Sequence, residues 1–312
     1  MAAVVSKNNK LYNQLMVATV LVVTFIMLVP IYWIASTSFK SYNDSVSIPP
    51  TVFFEPEMTG VVKVFTKRTI LRKDPSPAKL AKSAWYEKII FKAGEKVLRA
   101  SAFPSRLWNS IVICVVSTAI ALMMGTFAAY AFSRFKIFGK DDWLFFILSQ
   151  KMLPPMVVII PIFLMYRTLG LIDSYSGMIL IYTAMNLPFA VWLMKGFVDE
   201  IPIEYEEAAM IDGYTRFQAF WKIVLPQSVT GMAATSVFCF ITAWNEFALA
   251  LILAPRNVQT APPFIPSQVG SGIPDWTAIA AGATIFLIPV MIFTFLLRKH
   301  LLRGVTFGAI RK

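Results

Sequence analysis

Six long stretches of nearly uninterrupted apolar residues run along the chain, at about 12–35, 108–133, 143–166, 177–197, 228–253 and 277–299, with polar residues collected between them. A helix rises 1.5 Å per residue and a bilayer's hydrocarbon layer is roughly 30 Å thick, so about 20 apolar residues cross it. Each stretch is long enough. Lipid offers the backbone no hydrogen-bond partners, so spanning segments are helices or closed barrels. A barrel strand alternates apolar and polar positions over about ten residues. The run LMVATVLVVTFIMLVPIYWI does not alternate, and neither do the others. The pattern predicts an all-α fold, a polytopic membrane protein with six transmembrane helices. The first stretch is too long for a signal peptide, and IASTSF offers no A-x-A cleavage site. It reads as a retained anchor.

Composition agrees. Of 312 residues, 57% are apolar and 15% charged, where a soluble domain carries roughly a quarter charged residues. These proportions exclude a soluble globule and a disordered chain alike. The two cysteines, Cys114 and Cys239, lie inside apolar runs and read as buried free thiols rather than a disulfide framework. With one histidine, His300, there is no His/Cys cluster to hold a metal. No G-x-x-x-x-G-K occurs; Gly139-Lys140 lacks the upstream glycine, so no nucleotide site is expected.

The net charge is +12. The bases are spread between apolar runs instead of lining one face among aromatics, which argues for membrane topology over nucleic-acid binding. With the N-terminus inside, thirteen Lys and Arg fall on the inner side, among them Arg134, Lys136 and Lys140 after the second stretch. The short outer loops hold only Arg167 and Arg256. Both termini are therefore expected in the cytoplasm. Segment 36–107 lies outside in this scheme and carries thirteen basic residues, but loops longer than about 60 residues translocate largely regardless of charge. Within it, AKLAKSAWYEKIIFKAGEKVL has helical spacing, with Leu80, Ala84, Ile89 and Ile90 on one stripe. A small external helix, a patch facing a partner protein and a solvated insertion all fit that spacing.

The loop at 199–228, DEIPIEYEEAAMIDGYTRFQAFWKIVLPQS, is unusually polar. Glu204, Glu206 and Glu207 suit a helix's positive end, Pro202 a first helical position and Gly213 a left-handed stop. This predicts a short helix at about 203–212, a turn, and a second helix from about Thr215 that Pro226 breaks or bends. The first helix would lie on the inner membrane surface, tied at both ends to spans.

The same loop carries Glu207-Ala208-Ala209, three residues, Gly213, nine residues, Ile223, one residue, Leu225-Pro226. This EAA-x3-G-x9-I-x-LP spacing resembles the signature of membrane subunits of ATP-binding-cassette importers. RLWNSIVIC, GTFAAYAFSRFKIFGK at 125–140, FITAWNEFALAL at 240–251 and the tail HLLRGVTFGAIRK at 300–312 extend the likeness. Together they look like the smaller, six-span inner-membrane permease subunit of the maltose-type carbohydrate-uptake branch. The charged insertion at about 62–100 departs from that family's short first external loop. The resemblance implies one transmembrane domain over 1–312, with 36–107 as a long external loop and 199–228 as a cytoplasmic coupling loop.

It further implies a non-catalytic subunit of a bacterial inner-membrane importer for a sugar, polyol or related solute. The implied partners are a second permease subunit, a dimer of cytoplasmic ATPases that bind ATP and magnesium, an external solute-binding protein and membrane lipid. In the family the loop helix is a coupling helix that docks on the ATPase. Glu207 would make the polar contact, Ala208 and Ala209 would allow close approach, and Gly213 would supply the turn. Ile223, Leu225 and Pro226 would brace it against the membrane core. The external stretch 254–276 would face the binding protein.

Inside the membrane, Glu246 sits beside Asn245, and Lys151 beside Gln150, followed by Pro154, Pro155 and Pro161. Charges at membrane depth face a cavity or a partner. Glu246 suits the path, a subunit interface, or a pair with Arg256 or Lys151. Tyr182, Asn186, Trp192 and Asn245 offer the ring, amide and hydroxyl groups that sugars favour. A stand-alone secondary transporter or channel using Lys151 and Glu246 is the alternative reading. An intramembrane enzyme ranks last, because no catalytic constellation lies at membrane depth.

Overall fold

A computed structural model describes residues 5–71, 75–268 and 273–307, without side chains at 5–11, 77–79 and 300–307. Among the described residues, four helices are long and apolar enough to cross a membrane: Tyr12–Thr37, Phe103–Arg134, Tyr175–Asp199 and Trp276–Lys299. We call them spans one, two, four and six. Two further candidates are bent pairs. Span three is Lys140–Met152 plus Pro155–Thr168, bent by 93°; span five is Arg216–Gln227 plus Val229–Trp244, bent by 71°. The break in span three falls at Leu153-Pro154, where the missing N–H groups of Pro154 and Pro155 interrupt the backbone ladder. The apolar run expected to reach residue 253 stops at Trp244. Asn245 and Glu246 leave the helix, and a separate helix, Ala248–Leu253, begins with its Leu249 N–H bonded to the Glu246 carboxylate at 2.9 Å.

The chain divides into two compact units, residues 1–102 with 268–285, and 103–267 with 286–312. The larger is built on spans two and four. They meet along small residues: Ala121, Gly125 and Ala129 are buried on span two, with Ala190 and Val191 on span four. A Cβ placed on Gly125 would stand 2.5 Å from the Ala190 Cβ and 2.9 Å from its carbonyl carbon. Without a hydrophobic drive between helices in lipid, such close backbone approach is the main source of adhesion. The core adds a run of rings, Phe293, Phe240, Trp244 and Phe286, with centroids 4.3, 5.3 and 4.7 Å apart. Cys114 and Cys239 are buried and free.

A rigid corner sits beyond Leu253. The Asp173 carboxylate accepts the N–H groups of Arg256, Asn257 and Val258 at 3.3, 2.8 and 3.1 Å. The Asn109 amide donates to the carbonyls of Asn257 and Gln259 at 3.1 and 3.0 Å, and Tyr175 steadies Asn109 from 2.6 Å. Asp173→Ala would strip three donors of their acceptor, at about 1–3 kcal/mol. The exposed Arg256 should then become a fast tryptic site in detergent-solubilised protein; cleavage no faster than in the parent chain would refute this.

In the smaller unit the stretch with helical spacing is not one continuous helix. The stretch holds two short helices, Pro77–Lys82 and Trp85–Lys92, framed by a two-stranded antiparallel sheet of β1 (Thr66–Ile70) and β2 (Glu95–Ala100). Ser83-Ala84 interrupts the helical run, and of the four stripe residues only Ile90 is fully buried. Beside the sheet four ionised side chains close a ring. Asp275 takes Lys63 at 2.9 Å and Arg68 at 3.2 Å, and Glu95 takes Arg68 at 3.0 Å and Lys63 at 3.6 Å. Asp275 also begins span six, accepting the Thr277 hydroxyl at 2.9 Å and the Ala278 N–H at 3.3 Å. Of the segment 254–276, residues 269–272 lie outside the described residues, as does the end of the tail, 308–312.

Candidate functional site: the polar loop between spans four and five

The loop helix runs Glu204–Ile211, with Glu204, Glu206 and Glu207 in its first turn, where carboxylates oppose the helix dipole. Pro202 lies ahead of it, not at its first position, because Ile203 serves as the cap. Gly213 ends it with φ at +89°. There the Tyr214 N–H reaches back to the Ala209 carbonyl at 3.0 Å and the Gly213 N–H to Met210 at 3.1 Å, the left-handed closure glycine favours. Thr215 then opens the next helix with a reciprocal cap. Its hydroxyl accepts the Gln218 N–H at 3.3 Å, and the Gln218 side chain accepts the Thr215 N–H at 2.8 Å. The segment Phe220–Val224 widens into a π turn before Pro226 and the bend.

The two faces of the loop helix differ. Glu204, Glu207, Ala208 and Ile211 are exposed, Ile211 at 87%. Glu206 and Ala209 are buried. Behind them Phe220 and Val224 pack with Tyr130, Val198 and Ile201, and the Phe220 ring lies 4.7 Å from that of Tyr130. Of the other signature positions, Gly213 and Pro226 are exposed, Ile223 is half-buried, and Leu225 is half-buried against this cluster.

The buried carboxylate of Glu206 is held by two side chains of span two. The Tyr130 hydroxyl donates to it at 2.8 Å, and the Arg134 guanidinium forms an ion pair with it. A second arm of Arg134 donates to the carbonyls of Val198 and Ile201 at 3.1 and 2.8 Å. Sequence reading counted Arg134 only as an inner-side base and Glu206 only as a first-turn acid. The available signal was spacing: Glu206 and Ala209, three apart, share a face, and an inward carboxylate needs a cation.

The intramembrane candidates do not converge on one point. Tyr182 and Asn186 are buried where span four meets span five; the Asn186 amide donates to the Cys239 carbonyl at 3.1 Å. The Tyr182 hydroxyl lies 3.5 Å from the Glu246 carbonyl. Asn245 is exposed, its amide turned back to Ile241 at 3.0 Å. Glu246 caps Leu249, and among the described residues it forms no ion pair with Lys151 or Arg256. Lys151 instead stands 4.5 Å over the Phe189 ring. It lines a cavity of about 280 Å³ with Gln150, Pro155, Met185, Pro188 and Leu249 at the break of span three.

Residues 117–307 match the family described as the inner-membrane component of binding-protein-dependent transport systems. The chain belongs to this family. It is a membrane-spanning permease subunit of an ATP-binding-cassette importer. Among its relatives is the trehalose transport system permease SugB of Mycobacterium tuberculosis, 37% identical over 69% of this chain and 80% of that one. The diacetylchitobiose uptake permease DasC of Streptomyces coelicolor is 30% identical over 93% and 94%. A chain of a bacterial transporter importing the acidic polysaccharide alginate shares the fold, with a TM-score of 0.66 over 95% of this permease and 98% of that chain at 20% identity. The match opens inside span two, so the segment bearing β1 and β2 lies ahead of it.

Proposed function

We propose that this permease forms half of the translocation pathway for a sugar, polyol or related solute, and that the loop helix Glu204–Ile211 is its coupling helix. The second permease subunit completes the pathway. A dimer of cytoplasmic ATPases supplies the energy, and an external binding protein delivers the solute. The relatives named for trehalose and diacetylchitobiose support the solute class. The basic residues gathered beside spans two, four and six support cytoplasmic termini.

The observation that carries the reading is the two-faced loop helix. Glu207, Ala208 and Ile211 point outward, while the inward Glu206 is bonded to Tyr130 and Arg134 at the end of span two, and Arg134 in turn bonds the end of span four. ATP and its magnesium would bind only the ATPases. Closure of the ATPase dimer would draw the paired loop helices together and shift the spans from an inward-open to an outward-open arrangement. A ligand that binds one of two states more tightly biases both sites at once. Lys151, Asn245 and Glu246, though apart from one another, would each offer the solute a polar contact along its path; Tyr182 and Asn186, buried between spans four and five, would support it.

The test uses Glu207→Arg and Gly213→Pro in the assembled transporter. Both variants should reach the membrane, and the ATPases should co-purify with them about tenfold less, a loss of roughly 1.4 kcal/mol. Full co-purification with unchanged uptake in both would refute the assignment.

A further inference from the structure

The loop helix has very little holding it. It is eight residues long, and only two of its side chains are buried, Glu206 and Ala209. One is an alanine and the other a carboxylate, so apolar burial contributes little adhesion there. A helix so lightly packed would roll or slide under load unless something fixes its orientation. The inward attachment is concentrated in one side chain. Arg134, at the end of span two, reaches the Glu206 carboxylate with one nitrogen and the carbonyls of Val198 and Ile201 with another. Those carbonyls belong to the last turn of span four and the residues after it, where a helix presents its negative end. Tyr130, one turn before Arg134, adds a second donor to the same carboxylate. The pair is withdrawn from solvent, with side-chain exposures of 6% and 3%.

We infer that Arg134 is a positioning residue that locks the coupling helix to spans two and four, so that a displacement of the helix moves all three elements as one body. The inference rests on the reading that the helix receives the ATPases' motion. The planar guanidinium suits the task, because its donors are fixed relative to one another and a lysine cannot reproduce the fork. Glu204 and Glu207, on the same turn but facing outward, take no part. The clamp therefore separates two jobs among neighbouring carboxylates: Glu207 faces the motor, and Glu206 faces the membrane domain.

A buried ion pair replaced whole by apolar side chains is often neutral for stability, whereas removing one partner leaves a buried charge. The decisive variant is therefore the triple Tyr130→Phe/Arg134→Met/Glu206→Leu, which leaves no orphaned charge or hydroxyl in the clamp. Spin labels go on Tyr205→Cys, on the flank of the coupling helix, and Met123→Cys, on the exposed side of span two. The permease is assembled with its partner subunit and ATPases and measured nucleotide-free and after trapping with ATP and vanadate. With the clamp intact, the label distance should be narrow and should not shift on trapping. In the triple variant it should broaden and shift by several ångströms, while the thermal midpoint stays that of the parent. Arg134→Lys should fall between the two.

A distance that shifts in the intact protein as far as in the triple variant overturns the inference. So does a triple variant whose distance stays narrow and fixed. Failure of the underlying reading shows elsewhere, as Glu207→Arg assemblies that keep their ATPases and their uptake.

Discussion

Replacing Gly125 by alanine is expected to destabilise the permease by about 1–3 kcal/mol, the range for forcing extra atoms into a packed contact. The obstacle is not a side chain that can swing aside. The added Cβ would stand 2.5 Å from the Ala190 Cβ and 2.9 Å from the Ala190 carbonyl carbon, so spans two and four would have to separate along the line where they touch. Gly125→Leu should prevent recovery of folded protein. Gly196→Ala is the control. Gly196 lies in span four, and a Cβ there meets nothing within 4 Å. That change should be neutral or slightly stabilising, because alanine outranks glycine in a helix by up to about 1 kcal/mol. The buried thiols of Cys114 and Cys239 give the readout: a thiol-reactive dye reports heating in detergent as the helices part. Equal midpoints for Gly125→Ala and Gly196→Ala would sink the argument.

The same pair of glycines shows what sequence could and could not tell. Both sit in long apolar runs, and neither run says which glycine faces a neighbour. The spans themselves were legible because uninterrupted apolar length has few other solutions in lipid. Their breaks were only partly legible. The prolines of span three announced a bend, and the chain does break at Leu153-Pro154. The stop at Trp244 was hidden, because AWNEFALAL reads on as apolar residues. What ends the helix is Glu246 turning its carboxylate to cap Leu249, a local competition that hydropathy does not register.

The smaller unit was the least legible part. β1 and β2 are short and rich in charge, TKRTI and EKVLRA, so neither shows the apolar alternation of a strand. Their pairing joins Thr66 to Ala100 across two intervening helices, which no local window contains. In the polar loop, the signature spacing marked the outward Glu207 but not the inward Glu206. A linear motif shows residue types at fixed intervals; the direction in which each side chain points emerges only when the helix is placed against Tyr130 and Arg134.

Truncating Asp275 should open that smaller unit. Asp275→Ala would leave Lys63 and Arg68 sharing Glu95 alone and would remove the carboxylate that caps span six. Breaking a buried ion pair from one side costs about 3–5 kcal/mol. Hydrogen exchange at 59–70 and 95–100 in the intact chain should rise steeply in the variant. Asp275→Asn, which keeps an acceptor for Ala278, should fall between. Acid provides the same test without mutation. Burial works to raise the Asp275 carboxyl, but the Lys63 ammonium, the Thr277 hydroxyl and the Ala278 N–H outweigh it and hold the group below its ordinary value. A carboxyl depressed in the folded state contributes stability that is fully present above its unfolded value, about 3.9. That stability is lost as pH falls through the lower, folded value. Protection in the parent chain should therefore hold down to that ordinary value and then decline, while Asp275→Ala, already open, should show no such step from this group. A parent chain and variant with the same exchange at neutral pH would remove Asp275 from the account of this unit.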